Sequence, residues 1–159
     1  MDNIAKMEKA RSVFGTVCRA LDNREWNYKK DEEALKIECG ARGEDLPMEL
    51  TINVDADRMV VLVLSHIPFI IPEDKRLDAA IAVAAVNNKL VDGCFDYDIK
   101  SGHLFFRLTN SYMDSMIGED VFFYMVLCSC QTIDEFNDKF FMLAKGMLSM
   151  EQFLAAINK

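Results

Sequence analysis

Ile4, Met7, Ala10, Phe14, Val17 and Leu21 recur at intervals of three and four, with Lys6, Glu8, Lys9 and Arg11 between them. That spacing predicts an amphipathic helix behind an Asp2 cap, ending near Asp22 and Asn23. The period then drops to two. Trp26 and Tyr28, then Leu35, Ile37 and Cys39, then Met48, Leu50, Ile52 and Val54 alternate with polar residues such as Glu49, Thr51 and Asn53. Such alternation marks strands with one face on a core and the other in water. The run MVVLVLSHI, after the turn Asp55-Ala56-Asp57, is apolar on both faces, which predicts a central strand with a helix against at least one side.

Pro68 and Pro72 bracket the exit of that strand, and Pro72-Glu73-Asp74 suits a first helical turn. Proline loses nothing there, and acids meet the positive end of the dipole. This helix is expected to run to about Val91. Residues 94–99 and 103–109 read as a hairpin whose turn uses Gly102 at positive φ. The remainder is helical: 118 to about 130, a restart at Thr132-Ile-Asp-Glu135, and another at Ser149-Met-Glu-Gln152 after a stop at Gly146. Both restarts match the capping-box pattern. The expected order is therefore α-β-β-β-β-α-β-β-α-α-α, an α+β fold with helices packed on an antiparallel sheet, in one domain over residues 1–159.

Composition narrows the function classes. Hydrophobic residues make up 51% and charged residues 28% of the 159, the balance of a folded globular chain and not of a disordered one. The apolar runs 59–64 and 121–128 are far shorter than the roughly 20 residues that span a bilayer. The N-terminus lacks the basic start and apolar centre of a signal peptide. The five cysteines, an odd number without a CxxC, read as reduced thiols. A cytoplasmic protein is expected. The formal charge is −8, and residues 44–159 carry nine basic against eighteen acidic side chains, whereas 1–43 carry nine against eight. An acidic body repels phosphate backbones and anionic membranes, so neither is an expected partner.

The densest set of chemically capable residues is VNNKLVDGCFDYDIKSGHLFFR, residues 86–107. Asp96 and Asp98 alternate with Phe95, Tyr97 and Ile99, and with Asp92 they lack the spacing of a calcium loop, so they read as a solvated strand face. His66 and His103 have no cysteine or carboxylate at ligand spacing and are expected as partly buried structural residues, not metal ligands. Cys128 and Cys130 turn to opposite sides of a helix, which makes them core residues and not a redox pair. A helical projection of residues 77–91 turns Asn87 into the apolar face. A buried amide needs partners, so Asn87 is expected to bond loop or strand backbone, with Gly93 supplying the permissive dihedral. Asn87, Gly93 and Gly102 are thus read as structural. No GxSxG, HExxH, GxGxxG or GxxxxGK[ST] occurs, so no catalytic residue, cofactor or metal is assigned and no enzyme is expected.

Six of the ten methionines, at 113, 116, 125, 142, 147 and 150, fall beside Phe122, Phe136, Phe140, Phe141 and Phe153. They read as core filling, and helices this apolar exceed what one small protomer can cover, which predicts a homodimer.

The element order, with LPMELTINVD, PFIIPEDKR, AVAAVNNKLVDGCFDYD and SGHLFFR, resembles the YbjN family of candidate bacterial sensory transduction regulators over roughly residues 26–153. The resemblance implies a fold like that of class I type III secretion chaperones: small, acidic, α+β and commonly dimeric, without a catalytic motif. It implies a non-enzymatic binding or regulatory protein acting through protein contacts. The alternatives are a secretion-type chaperone holding an extended polypeptide on a sheet edge, and a small-molecule sensor or an enzyme with a dispersed site.

Overall fold

The computed structural model describes residues 2–158. Helix α1 (Asn3–Asp22) leads into four strands, β1 (Tyr28–Asp31), β2 (Lys36–Arg42), β3 (Pro47–Asp55) and β4 (Val60–Ile70). A 3₁₀ turn (Glu73–Lys75) opens α2 (Arg76–Asn87), followed by the hairpin β5 (Cys94–Asp98) and β6 (His103–Ser111), then α3 (Glu119–Ala144) and α4 (Met150–Ile157). The six strands form one antiparallel sheet in the order β1-β2-β3-β4-β6-β5. The fold is α+β, with the strands in the expected order.

Alternation along each strand puts Ile37, Leu50, Ile52, Val61, Val63, Phe95, Leu104 and Phe106 on the face beneath the helices, where they are buried in one cluster with Val13, Val17, Val86, Phe122, Phe136, Phe140 and Phe153. Burying such side chains contributes roughly 1.5–3 kcal/mol each. The other face stays uncovered: Val60, Leu62 and Leu64 of the central strand are only half-buried. Helix α1 and the turn after it are tied to α3 through Arg19–Glu119 at 3.2 Å and Arg24–Asp120 at 2.7 Å.

Asp2 caps α1 by accepting from the Ala5 amide at 2.8 Å. Ser149 and Gln152 complete a reciprocal capping box on α4. The segments either side of Thr132 are, however, one continuous helix. Thr132 is buried, and the apolar spacing Val126, Cys130, Ile133, Phe136, Phe140 passes through it without a break. A capping-box pattern cannot start a helix where the preceding residues already supply the amides' partners. Helix α2 likewise stops at Asn87, four residues short of Val91, because the chain turns there: Lys89 and Leu90 donate to the carbonyls of Val86 and Asn87 at 2.9 and 3.3 Å. Gly93 then takes φ +74°. A Cβ at Gly93 would meet the Phe106 ring at 2.4 Å, and one at Gly102 (φ +80°) the Ile71 carbonyl oxygen at 2.3 Å.

Both histidines are exposed, contrary to the expected partial burial. The pleat puts His66 and His103 on the uncovered face of β4 and β6, where His66 packs on Phe105 with ring centres 5.6 Å apart. Of the six C-terminal methionines, Met125 is buried, Met142 and Met150 are half-buried, and Met113, Met116 and Met147 are exposed. Core filling holds for only part of that set, since the exposed three lie in connections outside the helices.

Candidate functional site

The two edges of the sheet are built differently, and residues 86–107 explain one of them. Phe95 lies on the outer strand β5. Its amide donates to Asn87 Oδ1 at 2.8 Å and its carbonyl accepts from Asn87 Nδ2 at 2.9 Å. In an antiparallel ladder a residue turns both main-chain groups the same way, so these two face away from β6 into the free edge. The Asn87 amide thus occupies the place a neighbouring strand would take, and α2 lies alongside. An unpaired edge is a template for another chain; here Asn87 closes it at Phe95.

The acidic residues of the same stretch do not converge. Asp98 is exposed and accepts from the Ser101 hydroxyl at 2.6 Å and the Lys100 amide at 2.9 Å. Asp92 accepts from the Tyr124 hydroxyl at 2.5 Å. Asp96 is gripped by Arg107, with Nε to Oδ2 at 2.5 Å and Nη2 to Oδ1 at 3.1 Å. That guanidinium holds the Asp96 carboxyl below its usual range. Arg107 also reaches Cys94 Sγ at 3.4 Å, but burial, followed by the nearby Asp96 carboxylate, raises the Cys94 thiol above its ordinary value. The arrangement is a closed electrostatic clip on the uncovered face, with its polar atoms spent on one another. Cys130 is buried and Cys128 half-buried. Burial pushes the Cys39 and Cys130 thiols up to about 11, opposite to what an attacking thiol needs. Among the described residues no group of three or more His, Cys, Asp or Glu side chains is placed to hold a metal ion, and no helix is long and apolar enough to cross a membrane.

The opposite edge is open. Strand β1 pairs with β2 only from Tyr28↔Cys39 to Asp31↔Lys36, so residues 40–42 of β2 run on past its start. The Leu35 carbonyl accepts from the Val54 amide at 3.0 Å, which fixes the alternation: Ile37, Cys39 and Ala41 address β3, whereas Lys36, Glu38, Gly40 and Arg42 address the β1 side. The register of Tyr28↔Cys39 puts Asn27 opposite Gly40, and before it the chain turns away through Glu25 at φ 54°, leaving the main-chain groups of Arg42 directed at an unoccupied strand position. A depression of about 570 Å³ lies on the uncovered face over the paired stretch of β1, β2 and β3, with Asn27, Lys29, Glu38, Gly40, Glu49 and Thr51 in its lining. A second groove of about 450 Å³ runs on the helix side of β1, between Phe14, Gly15 and Cys18 of α1 and Lys30 and Leu35.

No family model matches the chain, and no curated protein matches it in sequence. Solved structures do. The crystal structure of YbjN from E. coli, a candidate transcription regulator, superposes with a TM-score of 0.56 at 14% identity, over 76% of this chain and 85% of that one. The fold is that of YbjN. The HopA1-SchA chaperone–effector complex also matches, with a TM-score of 0.48 at 14% identity, over 74% of this chain and 85% of its own. At this identity the likeness to YbjN extends to the backbone arrangement and not to the side chains of either edge.

Sequence reasoning placed Asn87, Gly93 and Gly102 but missed the open edge. Its one available signal was Gly40, a glycine inside the alternating pattern of Leu35, Ile37 and Cys39, since strand-interior glycine marks close approach by another group.

Proposed function

We propose that this is a non-enzymatic, cytoplasmic binding protein of the YbjN type that acts through protein–protein contacts, taking an extended polypeptide along the edge formed by β1 and residues 40–42 of β2. The observation that carries the reading is the asymmetry of the edges: Asn87 takes both outward main-chain groups of Phe95 on the β5 edge, while on the other the main-chain groups of Arg42 lie beyond the start of β1 with no strand beside them. Strand addition uses such groups for affinity and the adjoining pockets for selectivity. A regulatory role rests on the fold shared with YbjN, and the formal charge of −8 favours protein over nucleic acid as the contact through which it acts. A homodimer is part of the proposal, supported by Leu77 and Ile81, which stand 73% and 54% exposed on the outward side of α2.

The test is site-specific photo-crosslinking in the source cells, with the reactive group placed at Arg42 or at Asp98. Polypeptide adducts from Arg42 and none from Asp98 are expected. Adducts from neither position, with full-length protein present, overturn the reading.

A further inference from the structure

Strand β4 is apolar on both sides, yet the helices cover only one. Val60, Leu62 and Leu64 lie half-buried on the other, with Phe105 of β6 on the same face. A sheet that turns one face to water places polar residues there, so this aliphatic centre is unlike an ordinary solvated face. Register arranges the face in rows that cross the strands. One row, from β1 to β5, is Lys29, Glu38, Thr51, Leu64, Arg107 and Cys94. The next sets Gly40 beside Glu49, then His66, one step beyond the pairing of Leu50 with Ser65, then Phe105 and Asp96.

These rows complement themselves. A twofold axis along the strands, between β3 and β4, lays a second copy on this face with the strand order reversed and the rows kept. Strand β2 then lies over β6 of the second copy, and β3 over its β4. Glu38 faces Arg107, and Thr51 faces Leu64. Glu49, exposed and without an ion-pair partner among the described residues, faces His66. Gly40 faces Phe105. A Cβ at Gly40 would meet a single atom within 4 Å, the Met48 carbonyl oxygen at 3.4 Å, so the fold itself does not demand glycine there. Glycine in a strand recurs where another group comes close, and here it floors the depression of about 570 Å³ that would take the stacked rings of Phe105 and His66, whose centres are 5.6 Å apart.

Charge selects the axis. One running across the strands, through the row of Leu64, would set Glu38 on Glu38 and Arg107 on Arg107, and like charges so placed oppose association. Packed sheets stand about 10 Å apart with strands within about 30° of each other. Strands β2 and β6 lie about 7 Å from the axis, so the rows stay within side-chain reach. The face is about 24 Å wide and about 20 Å long from strand and residue spacings, comparable with the patch of about 800 Å² per partner in stable interfaces.

We propose that the uncovered face of the sheet is the contact between two copies of this chain, stacked about a twofold axis along the strands so that the hollow over Gly40 receives Phe105 of the second copy and Glu38 pairs with its Arg107. This rests on the homodimer of the reading above and names its surface; Leu77 and Ile81 on α2 are the competing one. Both sheet edges stay clear of the contact.

Sedimentation equilibrium over a dilution series measures the dimer, and a melting curve checks the fold of each variant. Gly40→Val suits a strand and should stay folded while weakening the dimer at least about tenfold by filling the hollow. Glu38→Lys and Arg107→Glu should each weaken it about tenfold through like charges, and an equimolar mixture of the two should dimerise as the parent does, because the mixed pair has opposite charges at both contacts. Folded Gly40→Val and Glu38→Lys proteins that dimerise as tightly as the parent overturn the inference, as does a mixture no tighter than either variant alone. A dimer lost with Leu77→Asp and kept by the sheet variants overturns this surface and leaves the homodimer standing. A parent that is monomeric at every concentration overturns both.

Discussion

Replacing Asn87 by alanine removes the amide that closes the β5 edge, and the size of the effect follows from what is left behind. Two hydrogen bonds disappear, at 2.8 and 2.9 Å, both to the main chain of Phe95, whose side chain is 2% exposed and packs against Phe106, Phe136 and Phe140. Each bond contributes about 1 kcal/mol net, and a stranded buried group costs about 1–3 kcal/mol. Asn87 is itself half-buried, so water can recover part of that loss. Asn87→Ala should therefore destabilise the fold by about 1–3 kcal/mol, which lowers the melting temperature by roughly 3–10 °C for a domain of this size. Asn87→Asp keeps the acceptor and loses the donor to the Phe95 carbonyl, so at neutral pH it should be no more stable than the alanine variant. Calorimetry and urea titration measure both. An unchanged midpoint refutes the reasoning, and an unchanged midpoint with lost partner binding makes Asn87 a recognition residue.

Three further outcomes follow from the same geometry. In native protein at pH 8, Cys39 and Cys130, with thiols near 11, should react with Ellman's reagent only after denaturant is added; rapid reaction of all five thiols contradicts the packing. The Asp96 carboxyl lies below its ordinary 3.8 because of Arg107, so the pair stabilises the fold above that pH and the contribution is lost as pH falls through the lower folded value. Asp96→Asn should accordingly show a flatter loss of stability below pH 4 than the parent, and parallel curves count against the clip. Light scattering after size exclusion should report about twice the 18.1 kDa chain mass at micromolar concentration; a monomer throughout a dilution series removes the dimer from the proposal.

Periodicity was enough to read the strands, because alternation of residues such as Leu50, Ile52 and Val54 depends on the pleat alone. The helix ends were less legible. Thr132 carries a capping signal but sits where the apolar stripe of α3 runs on, and tertiary packing decides between the two. The turn residues Leu35 and Met59 adopt φ of 50° and 55° although neither type favours it; each is buried, and that burial offsets the strain in a way no local pattern announces. Asn87 could be placed because a helical projection makes an amide among apolar neighbours stand out. The Asp96–Arg107 clip and the vacant edge at residues 40–42 could not. Both depend on register between strands, and a strand's register relative to its neighbours is set by burial and turns along the whole sheet.

The central claim is that one sheet edge is closed at Phe95 by the protein's own Asn87 and the other is kept for a partner. Residue-resolved amide hydrogen exchange on the free protein tests it most directly, comparing the Phe95 amide, bonded to Asn87 Oδ1 at 2.8 Å, with the Arg42 amide on the unoccupied side of β2. Strong protection is expected at Phe95, lost in Asn87→Ala, with fast exchange at Arg42. An Arg42 amide as protected as that of Phe95 in the free protein would contradict it.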